Sequence, residues 1–483
     1  RTKIICTIGP SSFDKNIIVK LIDEGMNAVR FNFSHSRGSE VIKIVNLIKE
    51  IRNEKKIPLA LILDTKGPEV RIYGYKERIE LTVDQIITIK SYDKEDIDII
   101  KNGEKFTFYT NLPKIGNLVN IGSKLLLKDG FIEGRVNDVL NDDTIKVVIK
   151  NSGFINPKAH LSIPNITYPL SFLSEKDKED IYFAIENKFE YIALSFVSSK
   201  EDILEIRNLI EKIEKEKNIE SKTRLIAKIE NKKAVDNIEQ IIKYSDGIMV
   251  ARGDLGVEME IEHVPVIQKR IIKLCYNEGK PVIVATQMLE SMIENPIPTR
   301  AEASDVANAC YDLTSAVMLS GETAVGKDPV RVVNMMSKII DKVENSLDYN
   351  DILNQMTRAP QNIDVTTSIA TRSVTIAYDI KAKLIAVITG SGYSARMISK
   401  MRPKLPILAY TFDYEIFNQL ALNWGVIPKL IDYSENLEEI IRFIHNDIKN
   451  SNYAFSNDYF ILVSGLPLGK EGSTNNIRVE KLD

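Results

Sequence analysis

The sequence predicts an α/β protein built on a (β/α)8 barrel, with a β-rich insertion after the third strand and a second α/β unit at the carboxyl end. Eight short apolar runs are each followed by polar residues, and stretches with helical periodicity separate most of them. This repetition is typical of a TIM barrel, in which the carboxyl ends of all eight strands meet at one mouth. The predicted strands are Lys3–Ile8, Ala28–Phe33, Leu59–Leu63, Tyr191–Leu194, Arg224–Ala227, Gly247–Val250, Pro281–Ala285 and Ala316–Leu319.

The insertion is predicted because strand-like alternation, and no crossover helix, follows the third strand. It spans roughly Glu69 to Thr167, and helical periodicity resumes after Ser174, a good N-cap residue. We expect residues 69–167 to form a β-barrel lid domain that excludes water from the mouth. Its clearest strands and turns are Arg78–Val83, Ile86–Ile89, Lys146–Ile149, Asn102-Gly103 and Asp129-Gly130.

The carboxyl-terminal part is predicted to be a doubly wound α/β domain. The eighth barrel helix starts near Asp328-Pro329, and a polar stretch from Asn345 to Asn362 is interpreted as a linker. The barrel domain is therefore discontinuous, at residues 1–68 and 168–345, and the last domain covers residues 346–483. Its predicted elements are the helices Thr367–Tyr378 and Leu437–Ile448 and the strands Leu384–Ile388, Ile407–Tyr410 and Tyr459–Val463.

The composition excludes several classes of function. A chain of 483 residues exceeds the size of a single core, so two or three domains are expected. A net charge of -3 and short apolar runs predict neither a nucleic-acid partner nor a membrane partner. Three cysteines without C-x-x-C spacing and four scattered histidines argue against a disulfide scaffold, a zinc hydrolase or a serine triad.

Two carboxylates, Glu230 and Asp254, follow consecutive barrel strands. One or two carboxylates typically hold Mg²⁺, and substrate oxygens and water fill its other positions. Lys228 lies two residues before Glu230, so on an extended strand end both side chains point into the same pocket. Such a pocket suits phosphoryl transfer, although an ion pair at the barrel rim is the alternative interpretation for these residues alone.

The second and third strand ends predict a monovalent cation site. Arg30, Asn32 and Ser34 alternate onto one face, and Asp64 and Thr65 end the next strand. Their oxygens could form a cage for such an ion, whereas a helix cap or turn is the alternative for Asp64-Thr65.

Several long motifs resemble the signatures of the pyruvate kinase family, and the resemblance extends over the whole chain. The runs lie in the same order as in that family, which makes the match highly specific. They are Val29–His35, Leu63–Glu69, Ile226–Asn231, Met249–Gly256, Ala285–Met292 and Pro298–Ala309.

The resemblance implies transfer of a phosphoryl group from phosphoenolpyruvate to ADP, giving pyruvate and ATP in the last step of glycolysis. It implies Mg²⁺ (or Mn²⁺) at Glu230 and Asp254, and K⁺ at Asn32, Ser34, Asp64 and Thr65; Glu69 is the residue type of K⁺-dependent members. The implied catalytic residues are Lys228, Thr286 and Arg30. Substrate would also contact Ser195, Ala251, Gly253 and Asp254, and nucleotide would contact Pro10, Asn32, His35, Arg71 and Lys158.

The resemblance further implies a homotetramer and a sugar-phosphate effector at the carboxyl-terminal domain. The effector residues would be Thr389, Ser391, Gly392 and Ser394, where hydroxyls and amides precede a helix. A loop over Gly469–Asn475 would close this site, and a simple Gly/Ser turn that caps the helix is the alternative.

The chain departs from the family pattern in the lid, where Ala159 replaces a lysine that helps to bind nucleotide phosphate and Lys158 is the neighbouring substitute. Two other functions are therefore kept open: a Mg²⁺-dependent lyase that acts on an enolate without nucleotide, and an inactive regulatory paralogue. The expected compartment is the cytoplasm, with an organelle such as a plastid as the alternative.

Overall fold

The computed structural model describes residues 1–34, 36–92, 106–164, 166, 168–358, 364–434, 436–467 and 474–483. The strands are β1 (Lys3–Thr7), β2 (Met26–Asn32), β3 (Ala60–Asp64), β4 (Ile72–Tyr73), β5 (Ile79–Leu81), β6 (Ile86–Ser91), β7 (Thr107–Thr110), β8 (Lys124–Leu127), β9 (Ile132–Asn141), β10 (Thr144–Ile149), β11 (Gly153–Ile155), β12 (Leu161–Ser162), β13 (Tyr191–Leu194), β14 (Arg224–Ile229), β15 (Gly247–Ala251), β16 (Val282–Ala285), β17 (Ala316–Leu319), β18 (Ile385–Ile388), β19 (Ile407–Thr411), β20 (Val426–Leu430), β21 (Tyr459–Gly465) and β22 (Thr474–Lys481).

The helices pack around these strands or connect them. They are α1 (Lys15–Asp23), α2 (Gly38–Lys55), α3 (Ile115–Leu118), α4 (Glu175–Glu186), α5 (Lys200–Lys217), α6 (Lys232–Asp236), α7 (Ile238–Tyr244), α8 (Arg252–Glu258), α9 (Val264–Asn277), α10 (Arg300–Tyr311), α11 (Gly321–Ala324), α12 (Pro329–Glu344), α13 (Tyr349–Arg358), α14 (Val365–Asp379), α15 (Tyr393–Lys400), α16 (Tyr414–Gln419) and α17 (Leu437–Asn450).

The predicted barrel is confirmed. Eight parallel strands close in the order β1-β2-β3-β13-β14-β15-β16-β17, and β17 pairs with β1. Side chains such as Ile5, Ile62 and Met249 fill the interior, whereas Cys6, Leu63 and Val250 pack outwards against the helices. Burial on both faces explains the unbroken apolar runs of the strands, which the alternation of an antiparallel sheet would have interrupted.

The insertion forms a seven-stranded sheet in the order β12-β8-β9-β10-β6-β7-β4 and a two-stranded sheet of β5 and β11. The two edge strands of the larger sheet meet next to the Arg71–His160 bridge, where the Ile72 amide donates to the Ala159 carbonyl (2.9 Å). The insertion therefore curls back on itself around its own core, which includes Ile87, Val147 and Leu161. The predicted turn at Asn102-Gly103 lies outside the described residues.

The carboxyl-terminal sheet has the order β20-β19-β18-β21-β22, and only β22 is antiparallel to its neighbour among these strands. This confirms the α/β architecture, but the stretch interpreted as a linker contains a helix that belongs to the carboxyl-terminal core. Helix α13 occupies much of that stretch, and its Leu353 and Met356 are buried in the carboxyl-terminal core. Its apolar residues Ile352, Leu353 and Met356 share one face of the helix, a signal that the polar composition of the stretch obscured.

Among the described residues, no helix is both long and apolar enough to cross a membrane.

Candidate active site

A row of buried charged side chains crosses the mouth of the barrel. The Arg30 Nε donates to Asp64 Oδ2 (2.6 Å), and the Lys228 Nζ lies 3.0 Å from Asp64 Oδ1 and 2.9 Å from Glu230 Oε1. Asp254 continues the row, since its negative charge lies close enough to act on Glu230. These groups come from β2, β3, β14, the residue directly after β14, and the first turn of α8. The barrel thus brings together five of the predicted site residues that are distant in sequence.

The ammonium of Lys228 is held charged by its neighbours. Burial alone would lower the pKa of Lys228, but the carboxylates of Asp64 and Glu230 outweigh it and raise that pKa. Burial opposes ionisation of Asp64 as well, yet Arg30 and Lys228 together lower its pKa. The pocket therefore presents a fixed ammonium and a fixed guanidinium that are already desolvated and oriented, which is the arrangement that stabilises developing negative charge.

For the carboxylates at the other end of the row, Lys228 offsets the effect of burial only in part. Burial raises the pKa of Glu230 to about 7, and the Asp254 charge adds to this effect against the pull of Lys228. Burial also raises the pKa of Asp254. The negative charges of Asp129 and Glu69 raise this pKa further. Two adjoining carboxylates of this kind fit a divalent cation, which would allow both to ionise.

A cation at this position would have few protein ligands. Among the parts of the chain that the structure describes, no group of three or more His, Cys, Asp or Glu side chains could hold a metal ion. Glu230 and Asp254 alone would leave most coordination positions to substrate oxygens and water, which is the usual way in which Mg²⁺ is bound near phosphates.

Ser195 and Thr65 complete the wall beside Lys228. The Lys228 Nζ donates to Ser195 Oγ (2.7 Å), which in turn donates to the Thr65 carbonyl (2.7 Å). The Ser195 amide donates to Thr65 Oγ1 (3.1 Å). This network fixes the end of β13 against the end of β3, so that the direction of the Lys228 ammonium is set by three neighbours.

The oxygens predicted to bind a monovalent cation lie at neighbouring strand ends. Asn32 pairs in register with Asp64, and Asn32 Oδ1 accepts from the Ser34 amide (3.1 Å). Asp64 is fully buried and both of its oxygens contact cations, Arg30 and Lys228. The remaining oxygens of Asn32, Ser34 and Thr65 are neutral, which suits a weakly bound ion.

Left-handed backbone occurs at two strand ends of the mouth. Phe196, Thr286 and Gln287 have φ values of 57°, 68° and 56°, which non-glycine residues adopt at a cost. At Phe196 this turns the amide towards Glu230 Oε2 (2.6 Å). At Thr286 it places Oγ1 where it accepts from the Gly253 amide (2.8 Å). The strain thus orients groups that face the pocket.

The support for Thr286 comes from residues to which the sequence interpretation gave no role. Arg252 donates to the Thr286 carbonyl (2.6 Å) and is itself held by Asp305 of α10 (2.6 Å).

Two further contacts support other parts of the mouth. Gly67, between the barrel and the insertion, donates its amide to Oδ1 of Asp177 (3.1 Å), and Asp177 also caps α4. Thr7 accepts from Arg30 (2.9 Å). Only the arrangement in space reveals these contacts, because the partners are far apart in the chain.

The insertion reaches the mouth through Glu69, Arg71 and His160. Arg71 pairs with Glu69 (2.7 Å) and donates to the Lys158 carbonyl (2.8 Å). His160 lies 3.6 Å from Asp129, and burial lowers its pKa although Asp129 opposes that shift. These residues bring the inserted domain close to Asp254.

The remaining predicted nucleotide contacts are spread around the rim. Lys158 is exposed with left-handed backbone, whereas Ala159 is buried in the core of the insertion and offers no charge. Pro10 is exposed in a turn after β1, and Asn32 is partly buried. His35 lies outside the described residues.

Of the predicted substrate contacts, Ala251 is buried and Gly253 is partly exposed at the start of α8.

The predicted effector residues do form one turn before α15, but the hydroxyls of Thr389 and Ser394 are engaged. Thr389 Oγ1 accepts from the Gly392 amide (3.0 Å), and Ser394 is hydrogen bonded to Thr474. The Ser391 carbonyl accepts from Arg224 and from Arg396 (3.1 Å each). Most of the predicted closing loop, namely residues 469–473, lies outside the described residues.

Comparisons with known proteins agree with this architecture. The family described as "Pyruvate kinase, barrel domain" matches residues 1–333, and "Pyruvate kinase, alpha/beta domain" matches residues 367–480. The pyruvate kinase of Clostridium perfringens is 39% identical over 497 residues, covering 100% of both chains. That of Sporosarcina psychrophila is 40% identical over 482 residues, 99% of this chain and 80% of the relative.

A solved structure gives the same result in three dimensions. The crystal structure of a pyruvate kinase from Cryptosporidium parvum matches with a TM-score of 0.93 and 36% identity, covering 100% of this chain and 96% of that one. Sequence and fold therefore agree over the full length, and the chain belongs to the pyruvate kinase family of phosphotransferases.

Proposed function

We propose that this protein transfers the phosphoryl group of phosphoenolpyruvate to ADP, producing pyruvate and ATP as in the last step of glycolysis. The observation that supports this most directly is the buried row Arg30, Asp64, Lys228, Glu230 and Asp254. It combines two desolvated cations for a substrate phosphate with two adjoining buried carboxylates, of which Glu230 also pairs with Lys228. Both features are needed for phosphoryl transfer between oxygens.

In this proposal Arg30 and Lys228 bind and orient the phosphate. The bond between phosphorus and the enolic oxygen breaks while a bond from phosphorus to an ADP oxygen forms. Negative charge then develops on the enolate oxygen, and the Lys228 ammonium stabilises it because it is already desolvated and aligned. Ser195 positions that ammonium. The backbone from Ala251 to Asp254 would receive the substrate carboxylate.

Glu230 and Asp254 would hold Mg²⁺ or Mn²⁺, which supplies positive charge to the phosphate and enolate oxygens when bound. Asn32, Ser34, Asp64 and Thr65 would hold K⁺. The enolate then takes a proton on its terminal carbon, and Thr286 lies at the face where we place that step, since its Oγ1 is fixed by Gly253 and the Ala285 carbonyl. ADP would lie between Pro10, Asn32 and His35 on the barrel and Arg71 and Lys158 on the insertion.

The same proposal includes an effector turn at Thr389, Ser391, Gly392 and Ser394 and a homotetramer. It also includes three domains bounded at residues 1–68 with 168–345, 69–167 and 346–483. Sedimentation equilibrium tests the tetramer directly, because four chains and one chain differ fourfold in mass.

The decisive experiment measures pyruvate release from phosphoenolpyruvate with ADP, Mg²⁺ and K⁺ omitted in turn. We expect strict dependence on ADP and Mg²⁺, and a severe loss of activity when a large organic cation replaces K⁺, because Glu69 is present and pairs with Arg71. Pyruvate formed without ADP would instead indicate a lyase, and no turnover under any condition would indicate an inactive paralogue. Full activity without K⁺ would contradict the monovalent site.

A further inference from the structure

The ammonium of Lys176, in the first turn of α4, lies against the turn that follows β2. Its Nζ donates to the carbonyls of Phe33 (2.7 Å) and Ser36 (3.2 Å). The same nitrogen lies 2.6 Å from Oδ2 of Asp180, one helical turn further along α4. One ammonium therefore binds the turn on both sides of Ser34. The mechanism proposed above uses neither Lys176 nor Asp180.

The charge of Lys176 is compensated by Asp180 and is mostly withdrawn from water. The side-chain exposure is 29% for Lys176 and 6% for Asp180. Burial raises the pKa of Asp180 to about 6, and the hydrogen bond from Lys176 opposes that shift, so the carboxylate is ionised at pH 8. Hydrogen bonds from an ionised donor are stronger than those between neutral groups. The contacts of Lys176 are thus of the kind that fixes a backbone segment.

Aromatic packing joins the same turn to the same helix. The Phe33 ring is fully buried and lies 5.7 Å from the Phe183 ring of α4, and the Lys176 ammonium lies 5.6 Å from the centre of the Phe33 ring. A side chain at Gly38, where α2 begins, would meet the Phe183 ring at 2.5 Å. The chain therefore approaches α4 closely both at Phe33 and at Gly38.

The peptide group that Lys176 binds also holds a predicted ligand of the monovalent cation. The Phe33 carbonyl and the Ser34 amide belong to one planar trans peptide group, so they point in opposite directions. The carbonyl accepts from Lys176, whereas the amide donates to Asn32 Oδ1 (3.1 Å). The Phe33 amide in turn donates to the Asp64 carbonyl (2.9 Å). A displacement of this peptide group therefore moves Asn32 and Ser34 relative to Asp64.

We propose that Lys176 is a positioning residue for the monovalent cation site. Its ammonium fixes the peptide group between Phe33 and Ser34, and that peptide group holds the Asn32 side chain. The inference rests on the proposed function, which places K⁺ at the oxygens of Asn32 and Ser34. Lys176 itself does not touch the ion. Asp180 acts one step further away, because it keeps the ammonium in place.

The first test measures the turn directly and needs neither substrate nor K⁺. In the full chain at pH 8, Lys176→Met should increase the hydrogen-exchange rates of the Phe33 and Ser34 amides at least about tenfold, as measured by residue-resolved mass spectrometry. Lys178→Met is the matched control, because Lys178 lies on the same helix and pairs with exposed Glu175 instead. Unchanged exchange of both amides in Lys176→Met would overturn the proposal.

The second test measures the response to K⁺. The melting temperature and, separately, pyruvate release are followed as KCl replaces tetramethylammonium chloride at constant ionic strength. Lys176→Met should raise the half-saturating K⁺ concentration at least about fivefold in both measurements, whereas kcat at saturating K⁺ should change less than about twofold. A lower melting temperature with an unaltered half-saturating K⁺ concentration would overturn the proposal, because Lys176 would then be purely structural.

Two further variants cover the case in which Lys176→Met does not fold. Asp180→Asn keeps both carbonyl contacts of Lys176 and should raise the half-saturating K⁺ concentration by a smaller factor. The double variant Lys176→Met with Asp180→Asn leaves no unpaired carboxylate at this position, and it should match Lys176→Met because Asp180 acts only through Lys176. A wild-type response to K⁺ in both Asp180→Asn and the double variant would contradict the inference.

The wild type separates this inference from the proposed function. A wild type that does not respond to K⁺ in either measurement would contradict the proposed cation site itself, and this inference with it. A wild type that responds to K⁺ no differently from Lys176→Met would contradict the role of Lys176 alone.

Discussion

At the scale of single residues, function depends on charges that the fold forces together. Lys228 is buried yet has a raised pKa because Asp64 and Glu230 both contact it. Taking an ammonium from water is costly, and the carboxylates offset this cost only while the geometry is kept. The same contacts that orient Lys228 for substrate therefore also contribute to the stability of the barrel.

This double role gives a prediction for Lys228→Met. We expect kcat to fall by at least about 10³-fold, since the variant removes the charge that stabilises the enolate. Because Asp64 and Glu230 lose a partner, the melting temperature should fall while the circular dichroism spectrum at 25 °C stays native. Lys228→Arg should recover more of the stability than of the activity, and exposed Lys232→Met serves as the control. A wild-type kcat in Lys228→Met would remove Lys228 from the mechanism.

At the scale of elements, helix α8 carries both a site residue and a contact to the insertion. Asp254 lies in its first turn, and Glu258 at its end is hydrogen bonded to Ser162 of β12. Burial raises the pKa of Glu258 from 4.5 to about 7, and the Ser162 hydroxyl opposes this only in part. The contact between the barrel and the insertion is therefore sensitive to protonation near neutral pH.

The sign of this effect follows from linkage. The folded chain binds the Glu258 proton more tightly than the unfolded chain, so this group's contribution to stability is greatest below pH 4.5 and declines as pH rises towards 7. Glu258→Gln should abolish that decline and raise the melting temperature at pH 8 by about 2 °C relative to wild type, with little difference at pH 5. Exposed Glu260→Gln is the control. Identical pH profiles for wild type and Glu258→Gln would disprove the assignment.

At the scale of the whole molecule, the two ends of β14 face different domains. Lys228 lies towards the mouth, while Arg224 at the opposite end donates to Gln419 Oε1 (2.8 Å) and to the Ser391 carbonyl (3.1 Å) of the carboxyl-terminal domain. Tyr191, which starts the neighbouring strand, donates to the Gln419 carbonyl (2.9 Å). Two adjacent barrel strands are thus anchored on the second domain.

We expect Arg224→Gln to weaken this connection. Loss of two hydrogen bonds from a charged donor should lower the melting temperature by about 2 °C and broaden or split the calorimetric unfolding transition, because the domains would unfold less cooperatively. Arg331→Gln, which removes an exposed charge from α12, should leave the transition unchanged. A single unaltered transition in Arg224→Gln would show that other contacts hold the domains together.

The sequence by itself determined the barrel, the insertion and most of the second domain, because strand runs, caps and helical periodicity are local signals. It also identified Lys228 and Glu230 as neighbours, since residues two apart on a strand share a face. Helix α13 was missed because its apolar residues Ile352, Leu353 and Met356 lie in an otherwise polar stretch. Only the tertiary structure decided that Asp64 lies between Arg30 and Lys228, that Asp305 supports Thr286 through Arg252, and that Lys176 contacts the turn after β2. These contacts join distant segments, and nothing local in the sequence specifies a distance between them.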